Sequence, residues 1–262
     1  MILVTGAAGF VGSRIMQICK DVIASPSLRG LSEDDIKRIV EESGADTIIH
    51  TAAISDIGTC QAHPEDSYIA NVMLPIYLAK ASKNIKLICF SSDQVYSGCD
   101  EFGPFSEDMA KPENTYSKHK LEMEQRVLDI CPDSVMLRAE WMYDCSPSPS
   151  GFFSFVVNSG NSLTLSSKEF RGVTYVKEVA ENMENVRRLP GGAYNFGSET
   201  TKSIYEITKE ISEYLGRDVK ITDSAEPSRN LWVNCEKATK HGVIFSTAED
   251  GLKKCAEDFK VK

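Results

Sequence analysis

Met1-Ile2-Leu3-Val4-Thr5-Gly6-Ala7-Ala8-Gly9-Phe10-Val11-Gly12 is an apolar run that breaks into a glycine turn and then enters a helical pattern. Read as strand, turn and helix, it is built to receive a pyrophosphate. Gly6 permits the tight turn, Gly9 lets the backbone approach the phosphates, and Gly12 lets the helix lie close against the strand. Free N–H groups and partial positive charge at the helix start complete an anion site. A dinucleotide is therefore the expected ligand. A purely structural turn is the alternative, and the position after an apolar strand at the chain start argues against it.

Outward from this stretch, apolar runs alternate with helical patterns. Strands are expected at 21–24, 46–50, 86–91 and 134–138. A helix starts at Ser32, an N-cap followed by acids in the first turn. Another runs from about Pro64 toward Ser82 with a bend near Pro75. Strands this apolar, separated by helices, predict an α/β fold whose parallel sheet is covered on both faces. Beyond 139 the rhythm loosens: a loop over 145–151, a helix over 176–188, a short strand at 193–196 and a helix over 203–215. The expected organisation is a dinucleotide-binding domain over 1–139. Residues 140–262 then form mainly a smaller substrate lobe, with some chain returning to the core, and the sheet ends within the first two-thirds.

The second informative stretch is Tyr116-Ser117-Lys118-His119-Lys120, downstream of Ser91-Ser92. A phenol titrates near 10 and needs nearby positive charge to exchange protons at neutral pH. Lys120, one helical turn on, is placed to lower that value. In a reduction, hydride reaches a carbonyl carbon, Tyr116 protonates the oxygen, and a serine hydroxyl holds it. The spacing by itself is weak, because Tyr205 and Lys209 share it. Tyr116 is separated by following a strand that ends at Ser91-Ser92, the edge where doubly wound sheets keep their sites. Tyr205 reads as packing on a late amphipathic helix.

The chain has 262 residues, 42 % hydrophobic, and a formal net charge of −9. An acidic surface argues against non-specific binding to nucleic acid or anionic membrane. No apolar run approaches the roughly 18 residues of a membrane span. Eight cysteines without a Cys-x-x-Cys pair argue against a zinc or dithiol site, and no metal is expected. With no signal peptide legible, reduced cysteines in a cytoplasmic protein are expected. His50 reads as structural, His119 as surface, and Asp93 as ordering its loop. Glu140 reads equally as a substrate contact or a buried acid with a local partner. The turn after the second strand, Ser25-Pro26-Ser27-Leu28-Arg29, lacks the acid that binds the ribose of NAD. Arg29 and the two hydroxyls suit the 2′-phosphate of NADP, which favours NADP(H) over NAD(H); a solvated loop is the other reading.

The Gly-x-x-Gly-x-x-Gly spacing resembles the short-chain dehydrogenase/reductase superfamily. His50-Thr51-Ala52-Ala53 with Asn71, and Phe90-Ser91-Ser92-Asp93-Gln94-Val95-Tyr96, resemble its extended branch. Pro104-Phe105-Ser106-Glu107-Asp108 and Pro112-Glu113-Asn114-Thr115-Tyr116 are similar to the approach to the tyrosine in dTDP-4-dehydrorhamnose reductases. Arg138-Ala139-Glu140-Trp141-Met142-Tyr143 and the segment 171–180 extend the likeness, with a weaker echo around Ser228-Arg229-Asn230-Leu231. The resemblance implies a Rossmann-type doubly wound sheet with a small C-terminal α/β lobe. It implies catalysis by Ser92, Tyr116 and Lys120, and cofactor contacts at Phe10, Val11, Ala52, Ala53, Ile54, Asn71 and Lys120. It implies a nucleotide-sugar substrate against Ser92, Gln94, Tyr116 and Trp141, and a homodimer through the Tyr116 helix. Gln94 stands where these reductases often carry an aromatic residue, and Leu31 where an acid usually lies near the adenine. The regulatory subunit of methionine adenosyltransferase shares these motifs, so a non-catalytic nucleotide-binding subunit is the implied alternative, beside a sugar-nucleotide epimerase or dehydratase.

Overall fold

The computed structural model describes residues 1–146, 148–224, 226 and 230–260; Pro147 of the expected loop, and Ser228 and Arg229 of the weaker echo, lie outside the described residues. The chain opens with β1 (Ile2–Thr5), α1 (Phe10–Ile18), β2 (Val22–Ala24), α2 (Glu33–Ser43) and β3 (Thr47–His50). It continues through α3 (Ile57–Ala62), α4 (Pro64–Tyr68), a π-helical turn (Ile69–Met73), α5 (Leu74–Ala81) and β4 (Lys86–Ser92). Two 3-10 turns (Asp93–Tyr96 and Glu107–Met109) lead to α6 (Thr115–Ile130) and β5 (Val135–Ala139). The remainder is β6 (Trp141–Asp144), α7 (Gly151–Val157), β7 (Ser162–Leu165), β8 (Val173–Tyr175), α8 (Val176–Glu181) and α9 (Met183–Arg187). It ends with β9 (Gly192–Phe196), α10 (Ile204–Tyr214), β10 (Lys220–Asp223), α11 (Glu236–Thr239) and α12 (Ala248–Lys260).

Six parallel strands form the central sheet in the order β2-β1-β3-β4-β5-β9. Alternate side chains of each strand feed two cores. Val4, Ile49, Ile88 and Leu137 pack with Ile15 of α1 and with Val179 and Met183 beneath one face. Leu3, Ile48, Leu87 and Met136 pack with α2, α5 and α6 on the other. Burial on both faces explains why these strands read as continuous apolar runs. Ser32 caps α2 through a reciprocal bond with Asp35, and Gly44 ends it in a left-handed conformation (φ 60).

Three expectations need correction. The sheet does not end within the first two-thirds: β9 pairs along β5 with Phe196 beside Ala139. The short strand expected at 193–196 is this sixth strand, and its Asn195 side chain is satisfied by the carbonyls of Phe105 and Asn234. The expected helix from Pro64 toward Ser82 is helical over 64–81, but a π turn joins α4 to α5 at its centre, and the unforeseen α3 precedes it. Pro75 lacks an N–H for the preceding turn, and the ladder widens before it, with Leu74 bonding Ile69 five residues back. The helix over 176–188 is divided at Asn182, whose side chain bonds both Glu178 and the Ile244 backbone.

A smaller cluster lies beyond β5, where β6 pairs with β8 and β7 with β10. Tyr143, Phe152, Phe153 and Tyr175 pack there against Ile207 and Ile211 of α10 and Leu252 of α12. Among the described residues no cysteine is joined in a disulfide. Among the described residues no helix is long and apolar enough to cross a membrane, and no cluster has metal-binding make-up.

Candidate active site

A cavity of about 1000 Å³ runs from the glycine loop, across the ends of β3 and β4, to β6. Its floor at one end is the Gly6–Gly12 turn. Gly6 has φ 70, and a Cβ there would stand 2.8 Å from the Ala52 nitrogen. A Cβ on Gly12 would stand 2.2 Å from the Gly6 carbonyl, so the helix start could not close on the strand. At Gly9 the tightest neighbour of a Cβ is the Gly6 oxygen at 3.1 Å, and no side chain caps α1. The helix N-terminus is thus open to an anion. Phe10, Val11, Ala52 and Ala53 line the same wall. These residues fit the pyrophosphate end of a dinucleotide.

Four of the named cofactor residues stand elsewhere. Gly12 lies behind the turn. Asn71 is 1 % exposed on the π turn, where its amide brackets the Ile54 backbone, accepting from the Ile54 N–H (3.1 Å) and donating to its carbonyl (2.9 Å). It therefore shapes the 51–56 loop from behind, and Ile54, half-buried, does not line the cavity. Arg29 is exposed and does not line the cavity, because Leu28 is buried in the core and swings the next residue out. Leu31 packs against the α2 side of the sheet.

At the C-terminal edge of β4 the cavity meets Ser92, Tyr116 and Lys120, all nearly buried. Asn114 caps α6 by accepting from the Ser117 N–H at 2.9 Å, which places Tyr116 in the first turn facing the sheet. Lys120 follows on the same face, 5.7 Å from the centre of the Tyr116 ring. Its ammonium donates to the Phe90 carbonyl at 2.8 Å. Burial pulls the Lys120 ammonium down to about 8, with Cys89 and Glu124 opposing. The expected lowering of Tyr116 by Lys120 is not what the geometry produces. Burial raises the phenol, and the Ser92 hydroxyl within hydrogen-bond reach is what pulls it back. The ammonium is drawn to the strand end instead of the phenol oxygen.

Ser91 and Ser92 are separated by their partners. The Ser91 hydroxyl donates to Glu124 at 2.5 Å, and Glu124 receives a forked ion pair from Arg138 at 3.1 and 2.7 Å. Arg138 also donates to the Tyr96 hydroxyl, which donates to Asn195. Tyr116, Lys120 and Glu124 thus occupy one face of α6 at intervals of four, and the last is consumed in holding the sheet. Ser92 stays on the cavity wall, donating to Asp93 at 3.0 Å and accepting from the Gln94 N–H.

The far end of the cavity is walled by Gln94, Glu140, Trp141 and Arg171. Trp141 is 37 % exposed and stands on Phe152, with its ring 5.3 Å from the Arg171 guanidinium. Arg171 donates to Asp93 at 2.8 Å, an ion pair 7 % and 3 % exposed. Sequence reasoning placed no role on Arg171: Asp93 lies 78 residues away, with no local signal linking them. The Glu140 carboxyl accepts from the Thr174 hydroxyl at 3.0 Å. It fills a slot beside Gly172 and Gly197, where a Cβ on either would come within 2.1 Å of it. Burial, then the charge of Asp93, pushes it up to about 8.

The remaining candidates are structural. His50 shares a 2.6 Å hydrogen bond with Thr5, and burial holds its ring neutral at about 3. His119 is not free surface: it bonds Ser67 at 2.9 Å and meets the Tyr68 ring edge-on. Tyr205 and Lys209 lie on α10, away from the cavity.

The sequence model of one family, described as the RmlD substrate binding domain, matches residues 1–240. The probable low-salt glycan biosynthesis reductase Agl14 of Haloferax volcanii is 26 % identical over 248 residues, covering 85 % of this chain and 82 % of that protein. Methionine adenosyltransferase 2 subunit beta of Danio rerio is 27 % identical over 237 residues, covering 81 % and 73 %. Among solved structures, dTDP-4-dehydrorhamnose reductase from Bacillus anthracis in complex with NADP superposes with a TM-score of 0.84 at 19 % identity, covering 98 % of each chain.

Proposed function

The chain belongs to the RmlD substrate-binding domain family, and on that premise we propose that it is an NADPH-dependent reductase of a nucleotide-linked 4-keto sugar. The observation that carries this reading is one cavity with a phosphate cradle at one end and Ser92, Tyr116 and Lys120 at the edge of β4. A reduced nicotinamide, when bound, supplies the hydride. Tyr116 gives the proton to the carbonyl oxygen, and burial keeps its phenol protonated until that transfer. Ser92 turns from Asp93 to hold the same oxygen. Lys120 holds the strand end through the Phe90 carbonyl, and the Ser92 hydroxyl favours the phenolate left after transfer. Trp141 and Gln94 face the sugar, and residues 140–262 mainly hold it while 1–139 hold the cofactor.

The same reading places the protein in the cytoplasm and pairs it as a homodimer across α6. Calorimetric titration with NADPH and NADH tests the cofactor. Tighter binding of NADPH than of NADH supports it. Failure of both to bind removes the reading. The likeness to a methionine adenosyltransferase subunit favours a second reading, a nucleotide-binding regulatory subunit. Binding of NADPH without turnover of any keto sugar, together with a stable hetero-complex, selects it.

A further inference from the structure

Ser92 and Ala139 are partners across the parallel strands β4 and β5. The next residues, Asp93 and Glu140, therefore leave the sheet edge as neighbours, and both reach the cavity that holds Ser92 and Tyr116. Their surroundings separate them. Asp93 is ion-paired with Arg171 at 2.8 Å and also receives the Ser92 hydroxyl, so its oxygens are taken up by partners. Glu140 is 4 % exposed and has the Thr174 hydroxyl as its side-chain partner, with no cation within ion-pair distance among the described residues. Two glycines, Gly172 and Gly197, leave the room that its carboxyl occupies. One carboxyl is held by a cation and a hydroxyl and the other is buried without an ion pair among the described residues, so Asp93 is the spectator and Glu140 the proton carrier. Tyr116 already serves the carbonyl oxygen, so a second carrier has a different atom to serve.

We propose that Glu140 is a second proton-transfer group of this site, and that the protein exchanges with solvent the hydrogen on the carbon next to the carbonyl of its bound keto sugar. The inference rests on the keto-sugar reading above. The Glu140 carboxylate takes the proton as the C–H bond breaks. That electron pair forms a C=C bond, and the carbonyl pair moves onto oxygen, where Ser92 and Tyr116 hydrogen-bond it. Return of a proton from Glu140 to the carbon reverses every bond. No oxidant or reductant is consumed, and a carboxyl that has traded its proton with water leaves the solvent isotope on the sugar. The charged and titratable groups facing Glu140 are Asp93 after β4, Arg171 before β8 and Cys235 before α11.

The test incubates the full chain with dTDP-4-dehydrorhamnose in D2O, with oxidised NADP present so that no hydride is available. Deuterium next to the carbonyl is followed by NMR against a protein-free blank. The expected result is exchange at least roughly 10²-fold above the blank, falling to the blank in Glu140→Gln. In the unmutated protein the exchange rate rises as pH passes through about 8, where Glu140 loses its proton. This readout stands even if the variant fails to fold. Exchange at the blank rate by a preparation that oxidises NADPH with the same sugar overturns this inference and leaves the reductase reading intact. Undiminished exchange in a folded Glu140→Gln overturns it as well. Neither exchange nor NADPH oxidation overturns the reductase reading, and this inference with it.

Discussion

Tyr116 with Lys120, and Tyr205 with Lys209, have one spacing on two helices and opposite fates. On α6 the tyrosine and lysine are 6 % and 3 % exposed and face a cavity at a strand end. On α10 the buried face is Ile204, Ile207 and Ile211, Tyr205 is half-buried, and Lys209 is in solvent. Helical spacing puts two side chains on one face, and nothing more. Chemistry is decided by what that face meets. For α6 it is the C-terminal edge of β4, where Phe90 takes the ammonium and Glu124, another turn along, pins the helix to Ser91 and Arg138.

The comparison breaks most visibly at the phenols. Tyr116→Phe lowers kcat by roughly 10²–10⁴-fold with NADPH binding kept, while Tyr205→Phe leaves both unchanged in NADPH-oxidation assays. Similar losses at the two positions would erase the distinction. Next in size is the anchor. Glu124→Ala leaves the buried Arg138 unpaired and costs about 3–5 kcal/mol in urea unfolding; a loss below about 1 kcal/mol would show that the network does not hold α6.

Lys120 sharpens the comparison through pH. Its folded value, about 8, lies below the ordinary 10.5. Below about 8 both folded and unfolded chains carry the proton, and burying that charge costs stability. Between about 8 and 10.5 the unfolded chain binds more protons, so the Lys120 contribution makes unfolding free energy rise with pH. Urea titrations across that window show a positive slope that flattens in Lys120→Met; an identical slope in the variant would contradict the burial argument. The smallest effect falls on the other helix, where Lys209→Ala changes stability by no more than about 0.5 kcal/mol.

Much of the fold was legible because parallel strands buried on both faces announce themselves as apolar runs, and Ser32 and the Gly6–Gly12 turn mark helix starts. Placements that depend on distant partners were not. The short strand at 193–196 was readable, but β9 joins the central sheet because β5 offers an edge and Asn195 finds carbonyls from two separate loops. α3 carried a readable sign, since Asp56 caps Thr59, but its six residues hold too little apolar pattern to stand out. At the site, the glycine turn, Ser92, Tyr116 and Lys120 come together on the cavity wall as the motifs implied. Arg29 does not, because its direction is set by the burial of Leu28, which composition does not encode. Arg171 and the glycine slot around Glu140 come from segments far apart in the chain and become neighbours only in the folded protein.

The chemistry of the site turns on Tyr116 as the proton donor of a reduction. The direct measurement is the rate of NADPH oxidation by the purified chain with dTDP-4-dehydrorhamnose. The predicted result is substrate-dependent oxidation in the unmutated protein that disappears in Tyr116→Phe. NADPH binding with no oxidation by the unmutated protein for this or any other nucleotide-linked 4-keto sugar, or oxidation that persists in Tyr116→Phe, would contradict it.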